Sequence, residues 1–230
     1  MSRDGITEIS NYGMRSYFRQ KLSNEKRAII GFWDIYNKEY ILSIQDAYAE
    51  GENITLGFDE SNNGWVSRYS YIPEDGGSLD GNFYTFKGGN LYVHNANGLY
   101  NNFYGEQYDS EVTLIFNQNP SANKNFLTIN YEGSNTWNIS NIITDVDAGE
   151  DIAAYNVANE DLIISGFKKY DNKYYANIFN SGTSLNTNEI VLGKELAGIK
   201  GYFAEIKIKT SATDYKELFS VSTNYNINSY

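Results

Sequence analysis

Cysteine is absent from these 230 residues, and histidine occurs once, at His94. The first absence excludes disulfide frameworks, thiol catalysis and thiolate metal sites. The second excludes a paired-histidine zinc site. Proline occurs only twice, and no apolar run approaches the roughly 18 residues that a membrane-crossing helix needs. The opening Met1-Ser2-Arg3-Asp4-Gly5 lacks the apolar stretch of a secretory signal, so synthesis in the cytoplasm is expected. Positive charge is also scarce, with 18 Lys and Arg against 29 Asp and Glu and a net charge of −11. Such a surface repels a phosphate backbone, and basic residues cluster only between Arg15 and Arg27.

What the chain has in quantity is aromatic and turn-forming: 21 Tyr, 12 Phe, 3 Trp and 20 Gly. This is the composition of aromatic strands joined by tight polar turns, and it also suits sugar-binding proteins. A chain of this length can bury one large β domain or two small ones without staples.

One helix is predicted near the start, capped by Ser10 or Asn11, with Met14, Tyr17, Phe18 and Leu22 at helical spacing. The period then changes to two. Residues 28–33 and 39–44 read as strands joined by Asp34-Ile35-Tyr36-Asn37-Lys38, a turn rich in short polar residues. Further strands are expected at 54–58, 65–72, 83–86, 91–94 and 112–116, with Lys87-Gly88-Gly89-Asn90 as a hairpin turn. A second meander covers 126–131, 162–167, 174–179, 190–192, 202–209 and 218–222. In it Ala204, Ile206 and Ile208 alternate with Phe203, Glu205, Lys207 and Lys209, giving one packed face and one wet face. The predicted fold is mainly β, sandwich-like or built of packed antiparallel meanders, with one short N-terminal helix. The expected organisation is a helix-plus-hairpin unit at 1–46 and a main β domain at 47–230, with a soft subdivision near 138–160.

A series of landmarks runs through the chain in order: Gly5-Ile6-Thr7-Glu8-Ile9-Ser10-Asn11-Tyr12-Gly13-Met14-Arg15, Gly64-Trp65-Val66-Ser67, Phe83-Tyr84-Thr85-Phe86, Leu91-Tyr92-Val93-His94-Asn95, the aromatic loop at 101–110, Tyr131-Glu132-Gly133-Ser134, Lys200-Gly201-Tyr202-Phe203-Ala204, and residues 216–222. In these the chain resembles the C-terminal region of large tail and neck structural proteins of tailed phages, crAss-like and marine phages among them. The resemblance implies a non-enzymatic virion component of the tail or neck without catalytic residues, and the residue content leads to no expected cofactor or metal. It implies other virion proteins and further copies of the chain as partners. From the hydropathy and the net charge no membrane and no specific nucleic-acid contact are expected, with packaged DNA a neighbour in such a particle. Family members carry β structure ahead of the 1–46 segment. A subunit interface is therefore expected there, on Met14, Tyr17, Phe18, Ile30, Phe32 and Trp33, by strand addition or by packing over the helix.

Four groupings compete with that reading. Asp145-Val146-Asp147-Ala148-Gly149-Glu150-Asp151 offers alternate carboxylates to a hard cation, but its glycine is one position early for an EF-hand and Asn156 stands where the bidentate Glu belongs. A solvated acidic turn is the better account. His94 follows a strand with no nucleophile elbow to serve, so a hydrogen-bonded structural role is favoured. Glu106, Asp109 and Glu111 are close enough in sequence to evoke a glycosidase pair, yet they suit loop folding better. Trp65, Tyr69, Tyr71, Tyr100 and Tyr104 could form a sugar platform. Because Trp65, Ser67, Tyr69 and Tyr71 are expected on one strand face, packing or an interface is preferred, and a carbohydrate-binding or receptor-binding module is the alternative function.

Overall fold

A computed structural model describes residues 7–23, 27–46, 52–145, 167–178 and 198–228. The chain forms two compact units, Met1–Tyr108 and Asp109–Tyr230. Among the described residues both are mainly antiparallel strands, as the alternating aromatic pattern predicts. Among the described residues no helix is long and apolar enough to cross a membrane. The strand readings at 162–166 and 190–192, and the acidic turn beyond Asp145, lie outside the described residues.

The first unit begins with a 3-10 turn, Ile9–Asn11, and the helix α1 at Arg15–Lys21. The expected cap at Ser10 or Asn11 is corrected here. Those residues belong to the separate turn, Gly13 at φ +72° reverses the chain, and Met14 is the N-cap without a side-chain bond. Leu22 is the C-cap and is exposed, so the apolar stripe reduces to Met14, Tyr17 and Phe18.

Strands β1 (Arg27–Asp34), β2 (Glu39–Asp46), β3 (Ile54–Asp59) and β4 (Gly64–Tyr69) follow as a meander in sequence order. One face of this sheet carries Ile44, Ile54 and Leu56, against which Phe18 of α1 is buried. The opposite face carries Phe32 and Ile41, packed with Tyr71 and Phe83. Ile54 to Phe58 are buried at five consecutive positions, because β3 is covered on both sides. A bulge in β4 sets which aromatic goes where. Gly57 pairs with Ser67 but Phe58 pairs with Trp65, leaving Val66 as the extra residue. Trp65 thereby turns to the helix face, against Phe18 at 4.9 Å and Phe58 at 5.3 Å, while Tyr69 joins the other face. The single aromatic row expected from Trp65 to Tyr71 is thus corrected by one inserted residue, and regular pairing ends at Tyr69, short of Ile72.

A second sheet of three strands, β5 (Asp75–Leu79), β6 (Asn82–Lys87) and β7 (Asn90–Val93), completes most of the unit. The turn between β6 and β7 is the predicted one, with Gly88 at φ +58° and Gly89 at +74° as a primed hairpin turn requires. Ser78 Oγ in β5 donates to Trp33 O at 2.6 Å and accepts from Ile35 N at 3.1 Å, tying β5 to the end of β1. A small hairpin of β8 (Asn102–Phe103) and β9 (Glu106–Gln107) ends the unit.

In the second unit, β10 (Ser110–Phe116), β16 (Ala204–Thr210) and β12 (Asn138–Thr144) form one sheet in the order β10-β16-β12. The other sheet runs β13 (Lys168–Tyr170), β14 (Lys173–Asn177), β11 (Lys124–Gly133) and β15 (Ile199–Gly201), with β17 (Leu218–Ile227) also paired to β11. The two sheets enclose one core. Phe116, Ile142, Ile206 and Ile208 come from the first sheet and Phe126, Ile129, Tyr131 and Ile199 from the second. The alternation predicted around 204–208 is observed, with Ala204, Ile206 and Ile208 all buried.

Candidate functional site

The first unit contains a cleft of about 530 Å³. One wall is the turn between β1 and β2. Asp34, almost fully buried, accepts bonds from the amides of Tyr36 at 2.9 Å and Asn37 at 3.2 Å and from Asn37 Nδ2 at 2.8 Å. A short acidic side chain two and three residues ahead of the amides it accepts is an Asx turn, and it holds Tyr36 outward, 61% exposed.

The base of the cleft is aromatic. His94 stands just beyond β7, its amide bonded to Phe83 O at 2.9 Å. Its ring lies 4.6 Å from that of Tyr71 and 4.8 Å from that of Phe83. Nε2 is 2.7 Å from Thr85 Oγ1, which is 2.9 Å from the Tyr104 hydroxyl. Burial pushes the His94 imidazole down to about 4, so it is neutral at pH 7. Tyr69 donates to Glu39 Oε2 at 2.9 Å. Burial raises the Tyr69 phenol, and the Glu39 charge raises it further. Glu39 is itself raised, by burial first and then by the charges of Asp34 and Asp59 despite its bond from Tyr69. Burial likewise raises the phenols of Tyr71 and Tyr104, so Tyr69, Tyr71 and Tyr104 stay protonated.

The other wall is the loop from Asn95 to Gly105. Its curvature comes from residues with positive φ: Asn95 at +59°, Asn101 at +56°, Tyr104 at +56° and Gly105 at +86°. Asparagine tolerates this region, but a bulky tyrosine rarely does. Tyr104 and Gly105 are the two central residues of the β8–β9 hairpin, where a primed turn requires both to be positive. The Thr85 bond and a 4.7 Å edge contact with Tyr92 hold Tyr104 there. Amides brace the rest: Asn97 Nδ2 donates to Asn102 Oδ1 at 3.0 Å, and Gln107 Nε2 to Tyr100 O at 2.8 Å.

Of the aromatic platform expected from sequence, Tyr69, Tyr71, Tyr100 and Tyr104 line this cleft, whereas Trp65 lies on the other face of the sheet with its Nε1 donating to Ile9 O at 3.1 Å. Tyr36 and Tyr92 also line it. The Asp34-Ile35-Tyr36-Asn37 turn was the available signal for Tyr36. Each member of the acidic trio has its own partner: Glu106 accepts from the Tyr108 hydroxyl at 2.5 Å, Asp109 pairs with Lys209 at 2.9 Å and Glu111 with Lys207 at 2.5 Å. Asp145 accepts from the amides of Tyr202 at 2.6 Å and Phe203 at 3.2 Å. Among the described residues no group of three or more His, Asp or Glu side chains stands together to hold a metal.

The residues expected at a subunit interface have distinct positions. Phe18 and Phe32 are buried on opposite faces of the first sheet, Met14 and Tyr17 pack beside Phe18, and Ile30 packs beside Phe32. Trp33 is 39% exposed on β1, which is an edge strand among the described residues, and Ile29 on the same strand is 56% exposed.

The class of protein that the chain resembles is viral and structural. Residues 98–181 match the family model of the Crassvirus muzzle protein C-terminal domain. The likeness to the C-terminal region of a crassvirus structural protein is thereby shown over that segment, which includes the loop wall of the cleft from Gly98 onward and the strands β8 to β14. No curated protein matches the chain.

Proposed function

We propose that the protein is a non-enzymatic structural component of a phage virion, located in the tail or neck, and that it works by symmetric assembly with its own copies and with other virion proteins. The match of residues 98–181 to the Crassvirus muzzle protein C-terminal domain carries this reading. The exposed apolar side chains on β1 support it, since a folded protein normally covers or charges such an edge. The segment 1–46 acts in assembly through Trp33 and Ile29, with Tyr17 and Met14 at the margin of the helix. Phe18, Phe32 and Ile30 act indirectly by fixing the sheet that presents them. The protein is made in the host cytoplasm and resides in the virion. Its net charge of −11 keeps packaged DNA a neighbour without specific contact.

Native mass spectrometry of the full chain, alone and mixed with the other particle proteins, tests this. A closed ring, or stoichiometric entry into one beside a partner, is expected. The paired substitutions Ile29→Lys and Trp33→Asp should abolish assembly while leaving the melting temperature nearly unchanged. A monomer that binds no other particle component would overturn the reading.

A further inference from the structure

We propose that the cleft between the β1–β2 turn and the Asn95–Gly105 loop is a binding site for a neutral saccharide, with Tyr36 and Tyr100 as its stacking surfaces. This is independent of the assembly role. The volume, about 530 Å³, is that of a small-ligand site. Neither Lys nor Arg is among the lining residues, and the one acidic side chain among them, Asp34, is turned into its own backbone. An anionic ligand would meet no counter-charge there, and a cation would find no free carboxylate.

The lining instead offers phenol and carboxamide groups. The carboxamides of Asn37, Asn97 and Asn102 are bonded within the turn and the loop, and that of Asn95, exposed at the cleft, is both donor and acceptor, which suits vicinal hydroxyls. A pyranose also presents a face of C–H bonds, which packs on the negative face of an aromatic ring. Tyr36 and Tyr100, 61% and 51% exposed, present such rings at the cleft. The wall is set before any ligand arrives. Tyr104 holds a backbone conformation that is costly for its type, fixed by Thr85 and Tyr92, and Asn97 and Gln107 brace the loop. Backbone strain of this kind concentrates at ligand sites, and preorganisation lowers the entropy lost on binding.

The test is a panel of neutral gluco-, manno-, galacto- and xylo-oligosaccharides, with polygalacturonate and sulfated glycans as charged arms, screened on an array and titrated calorimetrically against the full chain. At least one neutral saccharide should bind. Tyr36→Ala and Tyr100→Ala should each weaken it by about tenfold or more, as loss of an aromatic anchor does, and Tyr36→Ala should do so at unchanged melting temperature. Tyr170→Ala, at a residue 75% exposed in the second unit, should leave it unaltered. Purified bacterial surface polysaccharide and free short sugars form separate arms that distinguish a surface glycan from a soluble one, and binding in either upholds the proposal. Failure of every neutral saccharide, binding of charged glycans alone, or binding that survives the Tyr36→Ala/Tyr100→Ala double substitution overturns it.

Discussion

In the first unit one sheet lies between two separate cores, with Phe18, Ile44, Ile54 and Leu56 on the helix side and Phe32, Ile41, Tyr71 and Phe83 on the other. In the second unit the arrangement is inverted: two sheets enclose a single core rich in isoleucine, including Ile129, Ile142, Ile199, Ile206 and Ile208. Opposed sheets can fill the space between them with matched branched side chains. A sheet covered by several small elements must fill the gaps between covers with large, jointed side chains, and here these are mostly aromatic. Tyrosine suits such a margin because its ring packs while its hydroxyl finds a partner, as Tyr69 does with Glu39 and Tyr104 with Thr85. The cleft is therefore a product of the first unit's construction, opening where the turn after β1 and the Asn95–Gly105 loop meet over the aromatic floor.

The comparison breaks most readily at Ile206. This side chain is fully buried on the central strand of β10-β16-β12, so Ile206→Ala should cost about 4 kcal/mol, with loss of amide protection concentrated at 109–230. Phe18→Ala removes a ring from one core of the first unit and should cost about 3 kcal/mol. Because Phe18 and the cleft lie on opposite faces of the sheet, the ring resonances of Tyr71 and His94 should keep their shifts. If those resonances moved with Phe18→Ala, the two cores of the first unit would be one.

The same contrast explains what was legible in the sequence. Strand β16 was readable because the second unit's core demands strict alternation, which Ala204, Ile206 and Ile208 supply. Strand β12 was not, because a register shift between Ile139 and Asn141 breaks its alternation. The bulge at Val66 likewise hid the division of Trp65 from Tyr69, and the Gly-rich β5 carries too few side chains to show a period. The helix is legible from its apolar spacing but its start is not, since the positive φ at Gly13 is invisible until the chain is folded. Tyr100 and Tyr104 stood out as aromatics in a polar loop. Their meeting with Tyr36 depends on pairings across distant strands, which no local pattern encodes.

A pH titration sharpens the account of the aromatic floor. Burial lowers His94 from 6.5 to about 4 in the folded protein. Between those values the unfolded chain binds the proton and the folded chain does not, so stability is full above pH 6.5 and falls as the pH drops toward 4. The expected loss between pH 7 and pH 5 is about 1 to 2 kcal/mol, after allowance for partial exposure. Glu39 acts in the opposite sense near its own range, because its raised value favours the folded state at low pH and is lost as pH rises. Denaturant melts from pH 7 to 5.5, run on the native chain and on His94→Gln, separate the histidine from that effect. His94→Gln should flatten the dependence there, whereas an unchanged slope would assign it to other groups.

The smallest expected effect concerns how the helix is fastened to the first sheet. Glu52 receives Lys21 of α1 at 2.5 Å and also pairs with Arg68 of β4, so one carboxylate links the helix to the strand beneath it. The bond from Lys21, then that from Arg68, holds the Glu52 carboxyl below the ordinary value. Its contribution is therefore present above the unfolded value and is lost as pH falls through the folded one. All three side chains reach solvent, however, and exposed pairs are worth about 0 to 1 kcal/mol and are screened by salt. Glu52→Gln should thus lower stability by about 0.5 kcal/mol at low ionic strength, with the difference from the native chain shrinking in 1 M NaCl. The second unit supplies the control. Glu111 and Lys207 pair across β10 and β16 at 2.5 Å, with both strands already held by the ladder and the shared core. Glu111→Gln should therefore change stability by less than Glu52→Gln does. The reverse order would mean that α1 is retained by Phe18 alone and that its charges are merely solvated.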